Sequence, residues 1–144
     1  MPNTKTNYRD GDAYTRMAKK AGYRSRASLK LKEILKKDIS IKKDMSIIDL
    51  GSFPGGWTQV VKESLGNKGM VVSVDIQNMK EIKGAFFIHK SITELEENDF
   101  EEFKEKVPFD LVLSDMAPNI SGIRETDDAQ MIYLVENVLS VIDR

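Results

Sequence analysis

The sequence predicts an open α/β fold, a parallel sheet with helices on both faces. Three observations predict it. Short apolar runs of strand length alternate with segments of helical periodicity, the pattern of strand–crossover–strand units. The polar clusters of interest (Asp49–Trp57, Asp75, Ser91 and Ser114–Asn119) all follow the apolar runs, where ligands of such sheets bind. With 144 residues, 40 % hydrophobic and 31 % charged, the chain is long and apolar enough for one domain with its own core.

The first ten residues are polar and predict a loose terminus. Asp12 to Lys20 suits a short helix stopped by Gly22, and a longer helix follows from about Ser25 to Lys37. On it Ala27, Leu31, Ile34, Leu35 and Asp38 share one side at spacings of three and four. "SIIDL" reads as a buried strand, then a glycine loop and a helix from about Trp57 to Leu65. "GNKG" is a turn, "MVVSVD" a second strand and "AFFIH" a short third. "TELEENDFEEFKEK" predicts a helix with Leu95 and Phe103 inward and Thr93 as its N-cap. Phe109 to Ser114 make a fourth strand, and "TDDAQMIYLVENVLSVI" an amphipathic helix.

Composition narrows the chemistry. Cysteine is absent, which excludes disulfides and thiolate zinc sites and fits a reducing compartment. The lone His89 offers no metal cluster, so no metal is expected. No apolar run approaches the ~18 residues of a membrane span, and a cytoplasmic location is expected, an organelle remaining open. Net charge is −1, but residues 1–43 hold thirteen Lys/Arg and four acids (+9), leaving nine bases and nineteen acids (−10) for the rest. This divides the chain into a basic helical segment, 1–43, packed on a domain of 44–144. Solvated helix faces are one reading of the basic run. The aromatic and serine residues interleaved in "DAYTRMAKKAGYRSRAS" favour the other, a nucleic-acid phosphate surface carried by Lys19, Lys20, Arg24 and Arg26.

Two loops carry the site. In "DLGSFPGGW", Gly51, Gly55 and Gly56 admit close approach to the main chain and leave room for a ligand. No Gly-Lys-Ser/Thr follows, and the spacing is not Gly-x-Gly-x-x-Gly, so neither a phosphate loop nor the usual dinucleotide fingerprint is present. Asp75 ends the second strand 20 residues after Gly55, where a carboxylate can accept hydrogen bonds from both ribose hydroxyls of an adenosine. A tight turn with a surface Asp remains the plainer alternative. In "LVLSDMAPN", Asp115 would face the same cleft or cap a backbone turn, with Pro118 fixing the exit direction.

"YRSRASLKLKEI", "DLGSFPGGWTQ", "VVSVDI" and "DLVLSDMAPNISG", in this order and spacing, closely resemble the FtsJ/RrmJ family of S-adenosylmethionine-dependent RNA 2′-O-ribose methyltransferases. The similarity runs from about Asp12 to the last residue. It implies a Rossmann-like methyltransferase fold with S-adenosylmethionine as cofactor. It also implies a uridine of large-subunit ribosomal RNA, free or in a ribosomal particle, as substrate; a close branch acts on tRNA. In the glycine loop Asp49, Gly51, Pro54, Gly55, Gly56 and Trp57 would bind the cofactor, the last four lining its methionine and ribose side. Asp75 would hold the ribose hydroxyls and the Ser91–Ile92 corner the adenine. Many relatives carry Asp where this chain has Ser91, so that contact loses charge assistance. Asp115 would lie at the reacting methyl.

The resemblance also implies a lysine–aspartate–lysine set with a glutamate. Its first lysine matches Lys30 and its aspartate Asp115. Lys30 sits at the margin of its helix's apolar side, placed either to reach the cleft or to snorkel at the surface. The second lysine, favoured as the base, and the glutamate belong to later strands. A full sheet of this type has seven strands and four are legible here, so a piece of a longer protein is expected. Alone, it would bind cofactor with little or no turnover. A full-length chain is expected to be a monomer, whereas a truncated one would expose its fourth strand for pairing. Two other classes stand beside this reading. One is an inactive cofactor- or RNA-binding module. The other is a nucleotide-dependent oxidoreductase, disfavoured by the glycine spacing.

Overall fold

The computed structural model describes residues 13–106 and 108–115. A first helix, α1 (13–20), leads to α2 (Ala27–Lys37). Strand β1 (Ser46–Leu50), helix α3 (Gly56–Ser64), and strands β2 (Met70–Asp75), β3 (Phe86–His89) and β4 (Leu111–Ser114) follow. The four strands form one sheet in the order β3-β2-β1-β4, every pairing parallel. Gly22 ends α1 at φ +88, with Gly22 N–H donating to Lys19 O and Tyr23 N–H to Ala18 O. That paired closure needs a left-handed residue, which explains the glycine.

The sheet separates two cores by the two-residue period of its strands. Ile47 and Val71 face the helices, joining Tyr23, Leu31, Trp57, Val60 and Val61. Ile48, Leu50, Val72 and Val74 face the other way and pack with Ile92, Leu95 and Phe103. β1 and β2 are buried along their whole length, as central parallel strands should be. Helices α2 and α3 approach closely at Gly56, where an added Cβ would lie 2.5 Å from the Oγ atoms of both Ser25 and Ser28. Ser28 is fully buried for that reason, a position that apolar spacing did not select.

One predicted element is corrected. The segment after Ser91 is not an α-helix but two 3₁₀ pieces, Ile92–Glu94 and Glu97–Phe103, with Leu95 extended at ψ 131 between them. Ser91, not Thr93, is the N-cap, its Oγ accepting from Thr93 N at 3.3 Å. Glu96 and Asp99 form a reciprocal capping box that starts the second piece. Such local side-chain bonds compete with a continuous helix, and the broken path still buries Leu95 and Phe103 as expected. The loose terminus, Pro118 and the amphipathic helix predicted near 126–142 lie outside the described residues.

Candidate active site

The strand register sets the site's frame. Asp49 pairs with Ser73 on β2 and Leu113 on β4. Two residues further on are Asp75, the last residue of β2, and Gly51 and Asp115, each one residue past the end of its strand, so that all three lie at the carboxyl edge of the sheet. Lys30, on α2, meets this row: its Nζ lies 3.6 Å from Asp115 Oδ1, with the side chains 65 % and 40 % exposed. An exposed pair of this kind adds at most about 1 kcal/mol to stability.

Asp75 is 9 % exposed. Its Oδ2 accepts from Phe53 N at 2.8 Å and its Oδ1 from Gln77 N at 2.7 Å, so it ties the glycine loop to the loop leaving β2. Each oxygen keeps a further lone pair for a ligand hydroxyl. Next to it Ile76 is 70 % and Phe53 43 % exposed, apolar surface with nothing of the core to cover. The donor set fits an adenosine: a carboxylate for sugar hydroxyls beside apolar surface for a base. The sequence reading did not single out Ile76 or Phe53; an apolar residue directly after a strand-end acid was the available signal.

Asp49 lies beneath this row rather than in it. It is 1 % exposed, and its Oδ2 accepts from Thr58 Oγ1 at 2.8 Å; Thr58 Oγ1 is in turn 2.6 Å from Ser73 Oγ. Burial pushes its carboxyl up to about 7, opposed by the Thr58 hydrogen bond and helped by the charges of Asp115 and Asp75. Its side chain is thus a buried support beneath the row. Trp57 is 9 % exposed. Its indole is buried among the helices and donates from Nε1 to Ala27 O at 2.7 Å, so the side chain anchors α3 to α2.

The glycine loop runs through a cis Phe53–Pro54 bond. Gly51 has φ +71 and donates to Val74 O; Gly55, at φ +116, caps α3 without any side-chain cap. Protein, not open space, approaches these glycines. A Cβ on Gly55 would meet Ile82 Cδ1 at 2.8 Å and Arg24 Nη1 and Met79 Sδ at 3.1 Å, while Gly56 faces the two serines. At the far corner Ser91 Oγ is engaged with Thr93, and the Ile92 side chain belongs to the core. Those two residues can therefore offer an adenine mainly their backbone.

The basic residues divide. Lys19, Lys20 and Arg26 are exposed. Arg24, expected among them, turns inward: Nη1 donates to Pro54 O at 3.2 Å and to Lys80 O at 2.5 Å, and Nη2 to Glu81 O at 2.7 Å. Those three donors therefore already have partners in the protein. Among the described residues, no group of three or more His, Asp or Glu is placed to hold a metal, and no helix is long and apolar enough to cross a membrane.

A parallel sheet with a glycine loop after β1, an acid ending β2 and an ion pair beside the end of β4 defines a Rossmann-like class of α/β domain. The chain belongs to the FtsJ-like methyltransferase family, whose model matches residues 23–144. It is 43 % identical over 133 residues to Ribosomal RNA large subunit methyltransferase E of Xanthomonas oryzae pv. oryzae (strain PXO99A), covering 92 % of this chain and 63 % of that protein. It is also 43 % identical over 136 residues to the protein of the same description from Pseudomonas aeruginosa (strain UCBPP-PA14), covering 92 % of this chain and 65 % of that one. The chain thus spans slightly under two thirds of these relatives. A crystal structure described as a ribosomal RNA methyltransferase from Plasmodium falciparum superposes with TM-score 0.75 at 30 % identity, over 81 % of this chain and 69 % of that one.

Proposed function

We propose that this chain takes part in transfer of a methyl group from S-adenosylmethionine to a ribose 2′-hydroxyl, the substrate being a uridine of large-subunit ribosomal RNA. The observation that carries it is the meeting of Lys30 with Asp115 at 3.6 Å, on the strand-end row that also holds Asp75. Eighty-five residues separate the two in sequence. The names of the relatives favour ribosomal RNA over tRNA, and the reaction's place is then wherever that RNA is, the cytoplasm for a bacterial cell.

The methyl donor, when bound, supplies an activated methyl on a sulfonium. Asp75 holds its ribose, and the backbone of Gly55 and Gly56 at the start of α3 receives its methionine end. Asp115 accepts a hydrogen bond from the incoming hydroxyl and aligns its oxygen with the methyl. Lys30 stands as the cation beside it, neutralising the carboxylate and meeting the sugar–phosphate backbone. Exposed Lys19, Lys20 and Arg26 attract phosphates by sequence-independent charge.

The test is to incubate the protein with labelled S-adenosylmethionine and unmodified ribosomal RNA and map any 2′-O-methyl group. Label on a uridine ribose that vanishes in Asp115→Ala supports the proposal. Transfer that survives Asp115→Ala removes the site assignment, and cofactor binding without transfer favours an inactive binding module.

A further inference from the structure

Arg24 is the residue whose contacts depart furthest from its composition-based reading. Its backbone N–H donates to Gln59 Oε1 at 2.8 Å, and Gln59 Nε2 donates to Gly22 O at 3.1 Å, so α3 grips both sides of the turn between α1 and α2. From that fixed base the guanidinium reaches three carbonyls on two separate loops, Pro54 in the glycine loop and Lys80 and Glu81 between β2 and β3. Around it, Met79 and Ile82 close on Gly55. Met79 is buried, its sulfur 3.6 Å from Ser52 Oγ.

We propose that Arg24 is a positioning residue for the cofactor: it clasps the β2–β3 loop to the glycine loop and so fixes the shape of the crevice that Asp75 lines. The inference rests on the cofactor reading above. Several features of the side chain make the task specific to arginine. A planar fork of N–H donors can satisfy carbonyls converging from two loops at once, whereas an ammonium offers one donor centre. The loop it holds carries Ile76 and Met79 but no helix or strand between Asp75 and Phe86. Its other described hydrogen bonds are Gln77 N to Asp75, Ile76 O to His89 and Ala85 N to Ile82 O near its ends, and a long sulfur contact from Ser52 Oγ to the buried Met79 in its middle. Segments held by so few bonds open locally at low cost, and a ligand that must first order them binds more weakly. Arg24 adds the charge-assisted bonds in that middle stretch.

The proposal separates Arg24 from its neighbour Arg26, which is exposed and is proposed to attract phosphates. Arg24→Lys keeps the charge and loses the fork; Arg24→Ala loses both. Two readouts are needed: calorimetric titration with S-adenosylhomocysteine, and amide hydrogen exchange across 77–84 in the ligand-free protein. Both Arg24 variants are expected to exchange faster across 77–84 and to bind the probe about tenfold more weakly. Methylguanidinium at tens of millimolar is expected to restore part of that affinity in Arg24→Ala, which a merely misfolded variant would not show. Arg24→Lys is expected to bind ribosomal RNA as the parent does, while Arg26→Ala loses RNA affinity and keeps probe affinity.

Unchanged exchange across 77–84 overturns the clasp. So does faster exchange with unchanged probe affinity, or an RNA defect in Arg24→Lys equal to that of Arg26→Ala. If Arg24→Ala does not fold, Arg24→Lys decides alone. A parent protein that fails to bind the probe at all counts against the cofactor reading instead, and the exchange readout then judges the clasp by itself.

Discussion

At the β2 side of the crevice, Asp75 is nearly enclosed and both its oxygens already hold backbone N–H groups of two loops. At the β4 side, Asp115 stands well exposed and holds Lys30 across a looser 3.6 Å. The first arrangement is finished before any ligand arrives: binding there costs little reorganisation. The second is an open pair of opposite charges, in a medium that weakens their attraction. On the proposed reading it would strengthen once a bound polymer displaced water; one side would then recognise, and the other would react after being covered.

Substitutions should split along that line. Asp115→Ala is expected to lower methyl transfer to ribosomal RNA by on the order of 10²–10⁴-fold while titration with S-adenosylhomocysteine changes by less than about threefold. Equal losses in both measurements would erase the distinction between the two sides. Asp75→Ala should do the reverse, weakening the same titration by roughly 10–100-fold, the worth of hydrogen bonds to a charged group. A Kd that stays within twofold would show that the ribose is held elsewhere.

Gly55→Ala acts on the enclosed side through the backbone. At φ +116, with Ile82, Arg24 and Met79 around the new methyl, it is expected to cost about 1–3 kcal/mol of stability by thermal unfolding. An unchanged melting temperature would mean the loop relaxes freely.

Asp49 sharpens the contrast by pH. Its carboxyl rises from 3.8 to about 7 chiefly through burial, so between those values the folded state keeps a proton that the unfolded chain has released. Stability therefore falls as pH rises through about 4 to 7, and the loss is complete above that. Asp49→Asn, which can still accept from Thr58, should flatten this slope and stabilise the protein at pH 8 by at most on the order of 4 kcal/mol. Denaturant midpoints from pH 4 to 8 that run parallel in both proteins would contradict it. The smallest effect is expected outside the crevice: Lys19→Ala with Lys20→Ala should weaken RNA binding modestly and flatten its log–log salt slope by about 1.5. A slope equal to that of the parent would move the phosphate path elsewhere.

Much of this was readable in one dimension. The strands announced themselves because buried parallel strands are continuous apolar runs, and Asp75 and Asp115 because acids at strand tips are conspicuous. Lys30 and Asp115 came together as the resemblance implied, although spacing along α2 left Lys30 two possible roles. What stayed hidden depends on partners distant in sequence. Ser28 is buried only because Gly56 brings α3 against it, and Asp49 is shielded by Thr58 of its own motif together with Ser73 on β2, a pairing that only the sheet register reveals. Arg24 looked like one more base in a basic run; three carbonyls from residues 54, 80 and 81 changed its meaning. The acidic stretch 93–103 misled differently, its helical composition overridden by caps at Ser91 and Glu96.

The register that lines up Gly51, Asp75 and Asp115 has a metric consequence. β1 lies between β2 and β4, and neighbouring strands stand ~4.8 Å apart, so the two acids are set by the sheet at roughly 10 Å. Hydrogen-bonded strands set the spacing of the backbone positions that carry them. On the proposed reading the sheet would act as a ruler for a bound methyl donor, setting the span between its sugar and its reactive carbon.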